Sequence, residues 1–292
     1  MRVHLQLLLG RGLVATSFPV GAAITHGLEP ELLMLVRFAL ATVLFAPYIA
    51  WRHGLTIPSA RSLGGYAVIS VFVVTFFWCM FEALRSTSAL NTSAIYTVLP
   101  CIAAFYAAIL VKERLGRNRL FAMVFGAVGA LWVVFRGDLD LFLGLAVNKG
   151  DVIFLVGLFA MGLYTPLVRL FNRDEPAAVM AFWILATGTV WLFLLSNFSV
   201  VETDWTVIEG KVWLGIAYLA VFTTIISFFI MQHATLRVGP TRVISYGYIT
   251  PAFVVALEWA MGKAPDPMTL PGVAIIVVAM FIVQRGGAPS SR

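Results

Sequence analysis

Apolar residues fall along this chain in long runs, broken at near-regular intervals by charge, glycine or proline. Segments such as Leu63–Phe81 and Val273–Val283 are apolar on every side. Stretches of about 20 apolar residues are what a helix needs to cross the hydrocarbon of a bilayer. Ten such stretches are predicted, near 5–26, 31–51, 62–84, 89–111, 118–136, 148–171, 176–199, 211–235, 240–262 and 268–284. The intervening segments are short, the longest being 137–147 and 200–210, so no separate soluble domain is expected. A membrane barrel would instead alternate apolar and polar residues over segments of about ten. Inside lipid only helices and closed barrels satisfy their own backbone, and this pattern selects helices. The predicted fold class is an all-α integral membrane protein with ten transmembrane helices.

Composition sharpens this. The chain has 292 residues, 61% hydrophobic and only 12% charged, with a mean hydropathy of +0.94. Soluble domains carry about 25% charged residues, so lipid must cover most of this surface. The net charge of +6 does not imply nucleic acid, because basic residues flank the spans and act as topology signals. With the N-terminus in the cytoplasm, 13 Lys and Arg fall on the inner connections and ends, against five on the outer ones (Arg85, Arg136, Lys149, Lys211 and Lys263). That asymmetry predicts both termini inside a cell inner membrane. Cys79 and Cys101 both lie within spans and read as reduced packing residues. The first apolar stretch lacks a small-residue cleavage site and is read as a span rather than a signal peptide.

The two halves of the chain echo each other. Phe18–Pro19, then Glu29–Pro30 and a long apolar stretch, recur as Thr165–Pro166, Glu175–Pro176 and a second apolar stretch. Tyr96 and Pro100 recur as Tyr246 and Pro251. The offsets cluster near 150 residues, giving halves at 1–146 and 147–292 with five spans each. Because five is odd, the second half must enter the membrane in the opposite sense. Such an inverted repeat serves alternating access to a site between the halves.

Several stretches resemble a known family. The run from Pro30 to Phe38, with Arg37 inside it, looks like the second-helix signature of the drug/metabolite transporter superfamily, EamA type. The stretch from Ala94 through Pro100 to Lys112–Glu113–Arg114–Leu115 resembles the fourth-helix pattern, and the Gly126 and Gly129 helix resembles the end of one repeat. The second half departs from the pattern, with Gly262–Lys263–Ala264 in place of the acidic turn. The resemblance implies a ten-helix bacterial inner-membrane carrier, many of whose relatives export amino acids or related metabolites.

Charges inside spans are costly and call for a reason. Arg37 is expected roughly 9 Å below the outer surface, at about 1.5 Å of rise per residue. It either pairs with Glu82 or Glu258 as a gate or snorkels to the interface. Gln232, the repeat partner of Glu82, is placed at the inner end of the eighth span. Arg11 is read as snorkelling to the cytoplasm.

Amphipathic side chains away from the span ends are the candidates for binding: Trp78, Tyr96, Tyr164, Trp183 and Tyr246, with Ser17, Asn91 and Ser245 nearby. An aromatic ring with one polar atom offers shape and a hydrogen bond without a buried charge, though such residues also simply pack helix on helix. Pro19, Pro100, Pro166 and Pro251 are predicted to break their helices and free backbone groups toward a cavity.

These features suit a small amphipathic solute, most simply an amino acid with an apolar or aromatic side chain. A nucleotide-sugar or sugar-phosphate exchanger of the same superfamily is the alternative, but it would call for more cavity cations. A membrane-embedded enzyme is disfavoured, because His4, His26, His53 and His233 are scattered and no catalytic motif appears. No cofactor, metal or obligate protein partner is expected; the partners are the solute and the bilayer.

Overall fold

A computed structural model describes residues 2–110, 112, 117–138, 140, 147–173, 175–197, 199–227, 230 and 246–285. Among them the chain is helical throughout its ordered elements, without strands. The helices are α1 (Arg2–Ile24), α2 (Pro30–His53), α3 (Ala60–Ala83), α4 (Ala89–Tyr96), α5 (Leu99–Leu110), α6 (Arg117–Val134), α7 (Lys149–Gly162), α8 (Tyr164–Phe171), α9 (Ala177–Leu195), α10 (Gly210–Tyr218), α11 (Thr250–Ala260) and α12 (Leu270–Arg285). A π-helical segment, Leu219–Ile226, continues α10, and a 3₁₀ turn, Tyr246–Ile249, leads into α11. Six segments are long and apolar enough to cross a bilayer: Leu5–Ile24, Pro30–His53, Ala60–Ala83, Ala89–Leu110, Lys149–Phe171 and Ala177–Leu195. Shorter apolar helices cover Leu120–Val134, Gly210–Ile226 and Pro267–Ile282.

Local sequence explains where the helices begin. Ser59, Ser88 and Asn148 accept from the backbone N–H groups of Ser62, Asn91 and Gly150, capping α3, α4 and α7. Pro30 starts α2 at a position whose N–H would be unpaired in any case. Three of the four predicted breaking prolines do mark a restart. Pro100 and Pro251 are the second residues of α5 and α11, and Pro166 lies in the first turn of α8. Pro19 does not break its helix: α1 runs continuously from Arg2 to Ile24. In the preceding turn the Thr16 and Ser17 hydroxyls donate to the carbonyls of Leu13 and Val14, at 2.6 and 2.5 Å.

Packing joins early helices to late ones. The most extensive contacts pair α6 with α12, α3 with α7, α2 and α3 with α9, and α1 with α11. Small residues permit the closest approach, as membrane helices require. A Cβ on Gly129 would sit 2.8 Å from Ile276 Cγ1 and 2.9 Å from the Gly272 carbonyl oxygen; on Gly157 it would sit 2.7 Å from Cys79 Cβ. At the bundle end opposite the N-terminus, the Thr25 hydroxyl donates to the Phe81 carbonyl at 2.6 Å. There too Asn148 Nδ2 donates to the Ser86 carbonyl at 2.5 Å.

Gly129→Val should therefore cost about 1–3 kcal/mol of stability through overpacking. Gly64→Val, where a Cβ meets nothing within 4 Å, should be close to neutral. Thermal unfolding of the detergent-purified variants, followed by size-exclusion chromatography, measures the difference.

Candidate functional site

A helix interruption and a 3₁₀ turn meet inside the bundle. α4 ends at Tyr96 and α5 starts at Leu99, so the backbone between them leaves helical register. On the other side the Tyr246–Ile249 turn precedes α11. Lipid cannot satisfy such interruptions, so they belong where protein or a polar cavity surrounds them. The two lie against each other: a Cβ on Gly247 would sit 3.9 Å from Tyr96 Cε1 and 3.7 Å from Arg11 Nη1. Arg11 is thus directed to the helix interruptions in the interior, which its expected path to the cytoplasmic interface did not anticipate.

Tyr96 is half-buried in an aromatic cluster. Its ring lies edge-on to Phe18 at 5.8 Å and tilted to Phe76 at 6.3 Å. Phe154 packs against both phenylalanines, at 6.3 and 5.9 Å. The cluster draws on α1, α3, α4 and α7, so it straddles the early and late parts of the chain. Phe18, Phe76 and Phe154 carry no polar atom and were not distinguishable from packing residues in the sequence.

The other candidates are dispersed. Tyr246 is 5% exposed and packs on Leu7 of α1, while its neighbour Gly247 faces Tyr96. Trp78 Nε1 donates to Glu31 Oε2 at 3.3 Å, away from the Tyr96 cluster. Tyr164 opens α8 and is half-buried in the main core. Trp183 packs edge-on to Phe182 at 5.3 Å, and its buried Nε1 has no partner among the described residues. The Ser17 hydroxyl is committed to its own helix. Asn91 sits in the first turn of α4, where its side chain bonds the Asp151 carboxylate, and not at mid-span. Ser245 and Gln232 lie outside the described residues.

Arg37 corrects the expected charge pairing. Its guanidinium is 1% exposed and bonds hydroxyls, not carboxylates. Nη2 donates to Thr223 Oγ1 and Thr224 Oγ1, both at 3.1 Å, and Nε donates to Thr224 Oγ1 at 3.3 Å. The ring of Phe77 lies 4.6 Å from Cζ. Glu82 is instead 3.7 Å from Arg85, which also binds Glu29 at 2.9 Å, and Glu258 in the last turn of α11 has Lys263 as its charged neighbour. Half-buried carboxylates attract the cations close to them in the chain, leaving Arg37 to the π-helical segment. Its two threonines lie in an apolar run with nothing in the sequence to mark them as partners of a cation.

Asp151 was also missed. It is 3% exposed, at the start of α7, and its Oδ1 accepts from Thr87 Oγ1 at 2.5 Å. The N-terminal turn of a helix favours a carboxylate. Together with the Asn148–Ser86 bond, it fastens the α3–α4 turn to α7 at the end opposite the N-terminus. The sequence placed Asp151 beside Lys149 at a span boundary, which reads as solvated loop.

A sequence model described as the EamA-like transporter family matches residues 2–135 and again 148–285. The chain is 22% identical over 247 residues to the Uncharacterized transporter YyaM of Bacillus subtilis (strain 168), covering 84% of this chain and 81% of that protein. It is 25% identical over 286 residues to an uncharacterized transporter of Archaeoglobus fulgidus, covering 96% of each. A protein crystal structure with 18% sequence identity superposes with a TM-score of 0.67 over 97% of this chain and 96% of its own, a likeness of fold. The chain belongs to the EamA-like transporter family and is a multi-pass membrane transporter.

Thr87→Val leaves the Asp151 carboxylate short of a donor and should destabilise the protein by about 1–3 kcal/mol, the cost of an unsatisfied buried polar group. Thr87→Ser, which keeps the hydroxyl, should recover most of that loss in the same melting assay.

Proposed function

We propose that this EamA-family transporter exports small amphipathic metabolites, chiefly amino acids with apolar or aromatic side chains, by alternating access. In this reading, residues 1–146 and 147–292 are two five-helix halves threaded through the inner membrane in opposite senses, with both termini in the cytoplasm. The solute sits where their interrupted helices meet.

The observation that carries the reading is the approach of both Tyr96 and Arg11 to Gly247 in the turn before α11. An aromatic cluster of Phe18, Phe76, Phe154 and Tyr96 offers an apolar side chain a surface to lie on, and the Tyr96 hydroxyl and the Arg11 guanidinium near Gly247 offer polar groups to its other end. The two family matches and the packing pairs support a two-fold exchange of halves. Swapping halves turns the α3–α7 pair into α1 against α10 and its π-helical continuation. It turns α3–α9 into α2 against the π-helical segment; α2–α9 and α6–α12 map onto themselves, and all of these contacts exist. Two equivalent halves give two equivalent closures, one at each end of the bundle, which is what alternating access needs.

Counterflow tests the reading. The full chain in liposomes preloaded with phenylalanine should take up labelled phenylalanine saturably, faster than unloaded liposomes. Tyr96→Ala should lower the rate about tenfold, the factor set by ~1.4 kcal/mol of lost contact. Accelerated exchange of UDP-glucose with no phenylalanine flux would favour the nucleotide-sugar reading instead.

A further inference from the structure

The geometry points to Arg37 as the seat for a carboxylate: the transported solute carries one anionic group, and the unpartnered Nη1 of this guanidinium binds it. The inference rests on the proposed transport function and adds the charge of the substrate to it.

The site is built for a cation with one nitrogen left without a partner among the described residues. The Thr223 and Thr224 hydroxyls donate to the Leu219 carbonyl, at 2.9 and 3.0 Å. Their protons being spent, only their lone pairs face Arg37, and they accept from Nε and Nη2. Both threonines reach one carbonyl from successive positions because the helix is π-wound over Leu219–Ile226. Such windings recur at functional sites. Phe77 covers the guanidinium from a third helix. Nη1 is left buried, with no hydrogen-bond partner among the described residues, and Arg37 makes no ion pair among them.

A buried guanidinium held only by neutral hydroxyls retains its full charge in a medium that penalises charge. Packing alone does not call for it. The position 150 residues on, at the same offset as Tyr96 and Tyr246, is Thr187, whose hydroxyl makes a neutral bond with Ser70 at 2.9 Å. The second half therefore holds the matching place without a charge. Arg37 lies in the first half and Thr223 and Thr224 in the second, so a ligand on Nη1 sits where relative motion of the halves makes and breaks contacts. The charge-assisted donors of Nη1 suit one carboxylate. A phosphate ester, carrying nearly two charges, would want a second cation in the seat.

Two paired probes test this with the full chain in detergent. Phenylacetate should raise the melting temperature saturably at constant ionic strength, while its neutral analogue phenylacetamide should not. Arg37→Gln should abolish the phenylacetate shift, and Arg37→Lys should keep part of it. If neither variant folds, the wild-type comparison still decides. Equal shifts from both probes, no shift from either, an undiminished shift in Arg37→Gln, or an equal saturable shift with sodium chloride would each overturn the carboxylate seat. In liposomes, phenylalanine should show at least about tenfold faster counterflow than phenylalaninol, which lacks the carboxylate. Equal rates would overturn the seat while sustaining transport. Absence of phenylalanine flux alongside the phenylacetate-specific shift would instead sink the amino-acid reading and leave the seat standing.

Discussion

A helix that stops part of the way across a bilayer leaves N–H and carbonyl groups that hydrocarbon cannot satisfy. This constraint governs the chain. The α4–α5 interruption and the turn before α11 are packed among α1, α6, α7 and α12. Tyr96, Phe18, Phe76 and Phe154 are the apolar part of that packing, and Arg11 brings charge to it. The arrangement that protects the interruptions also gathers polar backbone, aromatic surface and a cation in one place, which are the materials of a solute site.

The same constraint explains why the two family-matched segments interleave instead of folding side by side. The broadest helix contacts join a helix of the first segment to one of the second. Close approach at Gly129, Gly157 and Gly272 replaces the hydrophobic drive that lipid withholds. Polar bonds across the seam among the described residues include Arg37 to Thr223 and Thr224, Asp151 to Thr87, Asn148 to Ser86, Thr16 to Tyr218 and Ser70 to Thr187, and the Trp132 and Trp191 indoles donate to the Met268 and Ala67 carbonyls. They punctuate an apolar core that the two segments share, in which Phe18, Phe38 and Phe76 belong to one cluster with Phe154, Leu158 and Ile184.

Much of this was legible in the sequence, for stated reasons. The six long apolar helices follow from apolar length, which lipid thickness sets, and the restarts at Pro100, Pro166 and Pro251 follow from the missing N–H of proline. Pro19 misled because a proline inside a continuous helix carries the same letter as one at a restart, and only the surrounding bonds separate the two. Asp151 escaped notice because one turn decides whether a carboxylate meets water or a neighbouring helix. Arg37 stands out as a charge in an apolar run and is buried, but its partners were not legible, since a buried cation suggests a carboxylate and Thr223 and Thr224 look like ordinary residues of an apolar run. Pairings between distant residues depend on helix rotation and crossing, to which a span pattern is blind.

The account turns on two halves that enter the membrane in opposite senses, since only then are the ends of the seam equivalent. Glu29 and Arg173 occupy the corresponding connection in each half, and both are exposed. With Cys79 and Cys101 replaced, single cysteines at these two positions can be labelled in intact cells with a membrane-impermeant maleimide. The account predicts labelling of Glu29→Cys from outside and of Arg173→Cys only after the membrane is opened. Labelling of both from the same side would contradict it.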